Sequence, residues 1–229
     1  MINIVFHYFF FLSVIFFNGV IFCNFFFKNI STKFNNIEKV IIGIIFTGFI
    51  SIIINFFFPL NDVIIYSNFL VGFFYFCYLI FIKKKKIFII NKLLIVPLIL
   101  LLFLSILQIY GSGFSDDLNH YHGGYIANAD NNKIIIGYNY LHYHYGYSSI
   151  WLLLHSYLNF NNSFLQDIHI INSIIFFVIL FYFFKESFEE KIINKSHLKY
   201  LLSYFFLLFF LIKYTRLKEF GLDRPGILI

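Results

Sequence analysis

Long apolar runs separated by short polar segments dominate the chain. Six runs have the composition of helices in a bilayer, namely 4–27, 40–60, 63–82, 93–110, 168–184 and 200–212. A helix needs about 20 apolar residues to cross a hydrocarbon core of roughly 30 Å. The pattern therefore predicts membrane-spanning helices, and the last run reaches spanning length only if Lys199 and Lys213 extend toward the headgroups.

The overall composition supports this interpretation. Hydrophobic residues make up 60% of the 229-residue chain and charged residues 12%, and the mean hydropathy is +0.82. Soluble domains are about half apolar and roughly a quarter charged, so this composition excludes a water-soluble domain. The sequence predicts an all-α integral membrane protein with about six transmembrane helices, surrounded by membrane lipid and without a nucleic-acid partner.

The distribution of lysine predicts the orientation in the membrane. Segments 28–39, 83–92 and 185–199 are rich in lysine, whereas the turn after the second run has Asp62 and no basic residue. Lysine-rich segments lie preferentially in the cytoplasm, which places the N-terminus outside. Segment 111–149, with one lysine and three aspartates, is then expected on the outer face, after the fourth helix.

The C-terminal segment departs from this alternation. Arg216 and Arg224, the two arginines of the chain, follow the sixth run and would lie outside if that run crosses the membrane. One interpretation is that the sixth helix does not cross and the segment is cytoplasmic. The other is that these arginines bind an anionic ligand, because a guanidinium group bonds two phosphate oxygens at once. The chain ends on Ile-Leu-Ile, as expected if another span began there and the chain were a fragment.

The outer segment has its own composition. Six of the twelve glycines lie in 111–146, and five of the eight histidines lie between residues 120 and 155. Its aromatic residues and low net charge predict a folded loop rather than a disordered one. We expect two short helices on the membrane surface.

The first of these predicted helices has Ser115 as its N-cap, Asp116 and Asp117 in its first turn, and Gly123-Gly124 as its end. The second, within 147–160, has polar residues on one side, with Ile150, Trp151, Leu154 and Leu158 on the other; the polar ones are Ser148, His155 and Asn159. This is the pattern of an amphipathic interfacial helix.

The acidic pair allows two interpretations. Serine and aspartate are favoured at any helix start, because they satisfy free N–H groups and suit the positive end of the dipole. Alternatively, Asp116 and His120 share a helix face four residues apart, and Asp117 lies three residues from His120. A carboxylate beside an imidazole can serve as a general base or bind a divalent cation.

A histidine-ligated metal is a further alternative. The pairs His120 and His122, and His142 and His144, each have H-x-H spacing, which in an extended segment places both rings on one side. Tyrosine is equally frequent in the same stretch, which favours an aromatic interfacial surface instead.

The order of these features resembles the catalytic loop of GT-C superfamily glycosyltransferases, which use lipid-phosphate-linked sugar donors. More closely, it resembles uncharacterised bacterial polytopic membrane proteins of GT-C type. One matching stretch comprises Asp116, Asp117, Tyr121, His122 and Tyr125. A second comprises Gly137, Tyr145, Gly146, Ser148, Ser149 and Trp151, with Ile150 inserted before the tryptophan. A third, approximate one comprises Arg216, Glu219, Phe220, Gly221 and Asp223.

The match covers about 115 of the 229 residues. Gly123-Gly124 replaces the Leu-Pro expected after the histidine, and the acidic motif follows the fourth span instead of the first. The resemblance thus implies three N-terminal transmembrane helices in 1–92 and a GT-C-like core in 93–229, with its outer loop at 111–167. It also implies a bacterial inner membrane, with the loop on the periplasmic face.

The resemblance implies that Asp116 or Asp117 is the catalytic base that deprotonates the acceptor hydroxyl, with a divalent cation as a possible cofactor of this pair. Positive charge from Arg216 and Arg224 would stabilise the departing lipid phosphate. The other substrate-binding candidates are His120, Tyr121, His122, Tyr125, Trp151 and Asp223. The expected partner is a polyprenyl-phosphate-linked sugar.

Two other classes of function remain open from the sequence. A non-catalytic membrane subunit or scaffold would use the outer loop for docking. A transporter or polymerase of lipid-linked glycans would also use outer arginines, but a transporter usually has ionisable groups inside its spans. The runs here contain asparagine and glutamine without neighbouring charges. The oligomeric state is not determined by these patterns.

Overall fold

The computed structural model describes residues 2–27, 34–84, 92–110, 122–135, 137, 149–160, 168–189 and 197–212. These residues are mostly helical, and no strand occurs among them. The helices are α1 (Ile2–Phe26), α2 (Asn36–Phe57), α3 (Asp62–Cys77), α4 (Ile95–Tyr110), α5 (Gly123–Asn131), α6 (Ile150–Tyr157), α7 (Ile170–Glu189) and α8 (His197–Ile212). A π-helical turn, Tyr78–Ile82, extends α3, and a 3-10 turn, Lys92–Leu94, precedes α4.

Four of the described helices are long and apolar enough to cross a membrane: Asn3–Phe26, Asn36–Phe57, Asp62–Ile82 and Ile170–Phe188. This confirms the prediction of a helical, multi-pass membrane protein. Within the described residues, α4 and α8 are apolar and comprise 16 residues each, fewer than the roughly 20 that a perpendicular span requires.

Local sequence explains where the spanning helices begin. Asn35 caps α2 by accepting a hydrogen bond from the Glu38 N–H at 2.9 Å, while the Glu38 carboxylate accepts one from the Asn35 N–H at 2.7 Å. This reciprocal capping box satisfies two N–H groups that helix geometry leaves free. Asn61 caps α3 through the Ile64 N–H. Pro97 lies in the first turn of α4, where its missing N–H costs least.

The helices α1 and α7 organise the bundle. The first packs against α2 and α3, whereas α7 packs against α4 and α8 and also touches α1 and α2. The start of α7 is almost completely buried, from Ile170 through Phe176. The Tyr8 hydroxyl hydrogen-bonds the Ser105 hydroxyl at 2.9 Å, which places the N-terminal part of α1 beside the C-terminal part of α4.

Apolar side chains also cover the outward faces of the bundle. Examples on α2, α3, α4 and α8 are Phe49, Ile53, Val63, Phe74, Ile99, Phe103, Leu198 and Phe205. So large an exposed apolar surface is rare on water-soluble monomers and marks contact with other apolar material. In this protein the lipid hydrocarbon provides that contact.

The short helices α5 and α6 lie at one end of the bundle, here called the α5–α6 end. The α2–α3 turn, the C-terminus of α4 and the N-terminus of α7 form this end. The Leu60 N–H donates to the Ala129 carbonyl oxygen at 2.8 Å, and the Ile134 N–H donates to the Asn55 carbonyl oxygen at 2.8 Å. The Asn55 side-chain amide donates to the Asn132 carbonyl oxygen at 3.2 Å. These bonds attach the end of α5 to the α2–α3 turn.

Candidate functional site

Three of the predicted site residues belong to the described part of the chain: His122, Tyr125 and Trp151. Those outside it are Asp116, Asp117, His120, Tyr121, Arg216, Asp223 and Arg224. His122 and Tyr125 are buried at the start of α5, and Trp151 is half-buried in the first turn of α6. Since α5 packs against α6, the structure places these elements of the two matching stretches side by side.

The prediction that a helix ends at Gly123-Gly124 is wrong. The helix α5 begins at this pair, and His122 before it has helical backbone angles, φ −64° and ψ −45°. A glycine ends a helix when it adopts the left-handed conformation. Among the described glycines, Gly137 has positive φ and neither Gly123 nor Gly124 does.

The predicted second helix is present as α6, with Ser149 as its N-cap; the Ser149 hydroxyl accepts a hydrogen bond from the Trp151 N–H at 3.2 Å. The sequence predicted an amphipathic interfacial helix, and in the structure two residues of its polar side, His155 and Asn159, are buried, at 1% and 3% exposed. The reason is tertiary, since α6 packs against α2 as well as α5. Its polar residues therefore find partners inside the protein.

Asp130, near the C-terminus of α5, forms the best-defined polar contact with α6. Its carboxylate accepts a hydrogen bond from the Ser156 hydroxyl at 2.5 Å and a second, on the other oxygen, from the Asn159 amide at 3.1 Å. The side chain is 4% exposed. Burial raises the pKa of Asp130 to about 7; the two hydrogen bonds act in the opposite direction, and the negative charge of Asp62 raises the pKa further.

His155 is one of three buried histidines at this end of the bundle, with His122 and His169. Burial lowers the pKa of His155 to about 3, and the neighbouring His169 and His122 lower it further, whereas a hydrogen bond with the Ile168 backbone raises it. Burial also lowers the pKa of His169 to about 4. The indole ring of Trp151 meets the His155 ring edge to face, with centroids 4.6 Å apart. Near neutral pH, His155 and His169 are therefore uncharged imidazoles, and each has one nitrogen that can donate a hydrogen bond and one that can accept.

Further polar atoms at this end are buried and have no hydrogen-bond partner within the described residues. These atoms are the side-chain nitrogen and oxygen of Gln108, the indole N–H of Trp151, and the side-chain oxygens of Asn159 and Asn172. Gln108 lies two residues before the end of α4, and Asn172 lies two residues after the start of α7, which packs against α4. Buried polar groups are normally hydrogen-bonded. Amide and indole groups of this kind can bind the hydroxyl groups of a ligand.

The described residues contain no group of three or more histidine, cysteine or acidic side chains placed to hold a metal ion. The predicted metal candidates Asp116 and Asp117 lie outside those residues, as do His142 and His144. Both interpretations of a metal at those positions therefore stay predictions.

Sequence reasoning missed Asp130, Ser156 and His169 as members of this site. Asp130 gave no signal in the sequence, because no helix was predicted directly after Gly123-Gly124. Once α5 is known, an acid near its C-terminus opposes the helix dipole and needs compensation. Ser156 falls within the predicted second helix but is not one of the three residues that define its polar side, and His169 lies at the start of the apolar run 168–184.

Comparison with known proteins adds a family but no activity. No curated protein and no solved structure matches the chain. The model of one protein family, described as a domain of unknown function (DUF8201), matches residues 1–221. Since this match covers nearly the whole sequence, the chain belongs to the DUF8201 family.

Proposed function

We propose that this protein is a multi-pass membrane glycosyltransferase that uses a lipid-phosphate-linked sugar as its donor. The observation that supports this most is the meeting of two sequence stretches at His155. His122, from the stretch that contains the acidic pair, is close enough to His155 to influence its charge. Trp151, from the second stretch, contacts the ring of the same histidine.

The position of this meeting point supports an active site near the membrane surface. Under the lysine-based orientation with six spans, the α5–α6 end of the bundle faces the outer side. Tyr110 ends α4 at this level, and His122 resumes the described chain, with Asp116 and Asp117 between them in sequence. A donor whose lipid tail remains in the bilayer would present its sugar phosphate at this depth.

The buried polar groups fit a hydroxyl-rich substrate. Gln108, Trp151 and Asn172 together offer N–H donors and carbonyl acceptors, which match the mixed donor and acceptor character of sugar hydroxyls. The uncharged imidazoles of His155 and His169 offer the same mixed character. None of these groups adds net charge, so they suit the sugar more than the phosphate.

The chemistry then requires a base and a cation from outside the described residues. One carboxylate of the acidic pair would accept the proton of the acceptor hydroxyl as its oxygen bonds the anomeric carbon. The bond from that carbon to the lipid-phosphate oxygen breaks, and Arg216 and Arg224 would stabilise the departing phosphate. A general base contributes about 10²–10⁴-fold to such a rate.

The direct test is a transfer assay in proteoliposomes with radiolabelled polyprenyl-phosphate hexoses and membrane-extract acceptors. We expect Asp116→Asn or Asp117→Asn to lose at least about 100-fold in transfer rate. Glu186→Gln, which also replaces a carboxylate by an amide and lies near the far end of α7, is the matched control and should retain most activity. Full activity in both acidic-pair variants would refute the catalytic role and favour a docking subunit.

The orientation has its own test in intact cells. In a background with Cys23→Ser and Cys77→Ser, a membrane-impermeant maleimide should label Arg216→Cys and Lys133→Cys from outside. Lys84→Cys, in the predicted cytoplasmic segment, should be labelled only after the membrane is opened. Protection of residue 216 in intact cells would place it in the cytoplasm and remove the arginines from the mechanism.

A further inference from the structure

We propose that Asp130 is a positioning residue that holds α6, and with it Trp151 and His155, in place at the α5–α6 end of the bundle. Both of its carboxylate oxygens are engaged, one by Ser156 at 2.5 Å and the other by Asn159 at 3.1 Å. All three side chains are buried. Since Ser156 and Asn159 lie three residues apart along α6 and its C-terminal extension, they can present their donors to a single carboxylate.

The segment that carries Asp130 is itself firmly attached. The preceding carbonyl group, that of Ala129, accepts hydrogen bonds from the Leu60 N–H at 2.8 Å and the Asn55 amide at 3.4 Å. Asp130 therefore connects α6 to the turn between α2 and α3, and this connection fixes the position of α6. A hydrogen bond between Asn68 on α3 and Tyr157 on α6 acts in the same direction.

This contact determines where the candidate site residues lie. Ser156 immediately follows His155, and Trp151 lies one turn earlier on α6. Displacement of α6 would therefore move both rings away from His122 and His169. The functional consequence rests on the proposed glycosyl transfer, whereas the positioning itself can be measured without any substrate.

The chemistry of the partners suits a carboxyl group that changes charge. A serine hydroxyl and an asparagine amide can each donate to a carboxylate or accept from a carboxylic acid. The titratable groups on the surrounding elements include Asp62 at the start of α3, His122 and Tyr125 at the start of α5, His155 and Tyr157 on α6, and Lys133 beyond α5. Burial lowers the pKa of His155 to about 3 and raises that of Tyr157 to about 12, so both remain uncharged between pH 5 and 9.

The single tryptophan makes a specific reporter. Trp151 is the one tryptophan of the chain, so its fluorescence reports on α6 in the purified full-length protein in detergent. We expect Asp130→Ala to raise the acrylamide quenching constant of Trp151 about twofold, because loss of both hydrogen bonds favours local opening of α6. Asn131→Ala, at the next and exposed position of α5, is the matched control and should quench like the wild type.

A pH profile separates this role from simple packing. Between pH 5 and 9, Trp151 emission of the wild type should follow one protonation step near neutral pH, and Asp130→Asn should abolish that step. Asp62→Asn should move the step to lower pH, because the Asp62 charge raises the pKa of Asp130. Persistence of the step in Asp130→Asn would overturn the proposal.

A second variant covers the case in which Asp130→Ala does not fold. Ser156→Ala removes one of the two donors and should raise quenching less than twofold while the far-UV circular dichroism stays native. Quenching equal to the wild type in folded Ser156→Ala and folded Asp130→Ala would also overturn the positioning role. Neither measurement uses a sugar donor, so a failed transfer assay would leave this result standing.

Discussion

The main-chain oxygen of Lys39 on α2 lies 1.8 Å from the point that a Cβ on Gly19 of α1 would occupy. On the opposite helix, a Cβ on Gly43 would lie 2.0 Å from the Ile15 carbonyl oxygen. The two helices thus pack backbone to backbone and need glycine at both positions. Small residues allow such approach where helix association in lipid relies on packing rather than on the hydrophobic effect.

Gly19→Ala should therefore destabilise the bundle. The new methyl group meets backbone, which cannot move without separating α1 from α2, and overpacking of this kind costs about 1–3 kcal/mol. The control is Gly48→Ala, whose Cβ would approach side-chain atoms of Ile150 at 3.0 and 3.2 Å that can shift. Thermal unfolding in mild detergent, followed by far-UV circular dichroism, should show the larger loss for Gly19→Ala. Equal losses would contradict the backbone contact.

The hydrogen bond beside this crossing gives a second prediction. The Asn18 amide donates to the Thr47 hydroxyl at 2.9 Å, and both side chains are buried. Thr47→Val leaves the amide donor without this partner, which we expect to cost about 1–2 kcal/mol of unfolding free energy. Asn18→Leu combined with Thr47→Val should cost less than the sum of the single changes. Strict additivity in this double-mutant cycle would show that the two side chains do not interact.

The spanning helices could be predicted because their signal is local. The apolar run 4–27 corresponds to α1 at Ile2–Phe26, and the run 63–82 corresponds to α3 with its π-helical turn. Each requires only that about 20 successive residues be apolar enough for lipid. This requirement does not depend on the neighbouring helices, so one sequence is enough to predict where the spanning helices lie.

The candidate site was less predictable because its contacts are distant in sequence. Asp130 and Ser156 are 26 residues apart, so no local sequence pattern links them. His155 and Asn159 gave α6 an amphipathic pattern, yet packing on two sides buries the polar face. His122 belonged to an H-x-H pair and Trp151 to the apolar side of a predicted helix, and the family resemblance made both of them substrate-binding candidates. None of these patterns shows that the two residues meet.

The buried carboxyl group gives a third prediction, on stability. Asp130 has a pKa of about 7 in the folded protein against an ordinary value of 3.8, so the folded state binds this proton more tightly than the unfolded state. Its stabilising contribution is complete below pH 4 and is lost as the pH rises toward 7, at up to about 1.4 kcal/mol per pH unit. Chemical unfolding at several pH values should show this decline relative to Asp130→Asn. A difference between the two proteins that is independent of pH would contradict the shifted pKa.

The buried histidines give the opposite dependence. His155 and His169 have pKa values of about 3 and 4 in the folded protein against an ordinary 6.5, chiefly through burial, so the unfolded state binds their protons more tightly. Their contribution is complete above pH 6.5 and is lost as the pH falls toward 4. Each should add a slope of up to about 1.4 kcal/mol per pH unit in that range.

Between pH 4 and 6.5 the two histidines together outweigh Asp130, so unfolding free energy should rise with pH and reach its maximum near 6.5. His155→Gln keeps a polar side chain but cannot gain a proton. It should reduce the acid-side slope of the unfolding free energy by the contribution of one proton, about 1.4 kcal/mol per pH unit. His197→Gln, at the exposed start of α8, serves as the matched control. If His155→Gln leaves the acid-side slope unchanged, His155 has the same pKa in the folded and the unfolded protein. His155 would then not belong to the buried group at which the two stretches meet.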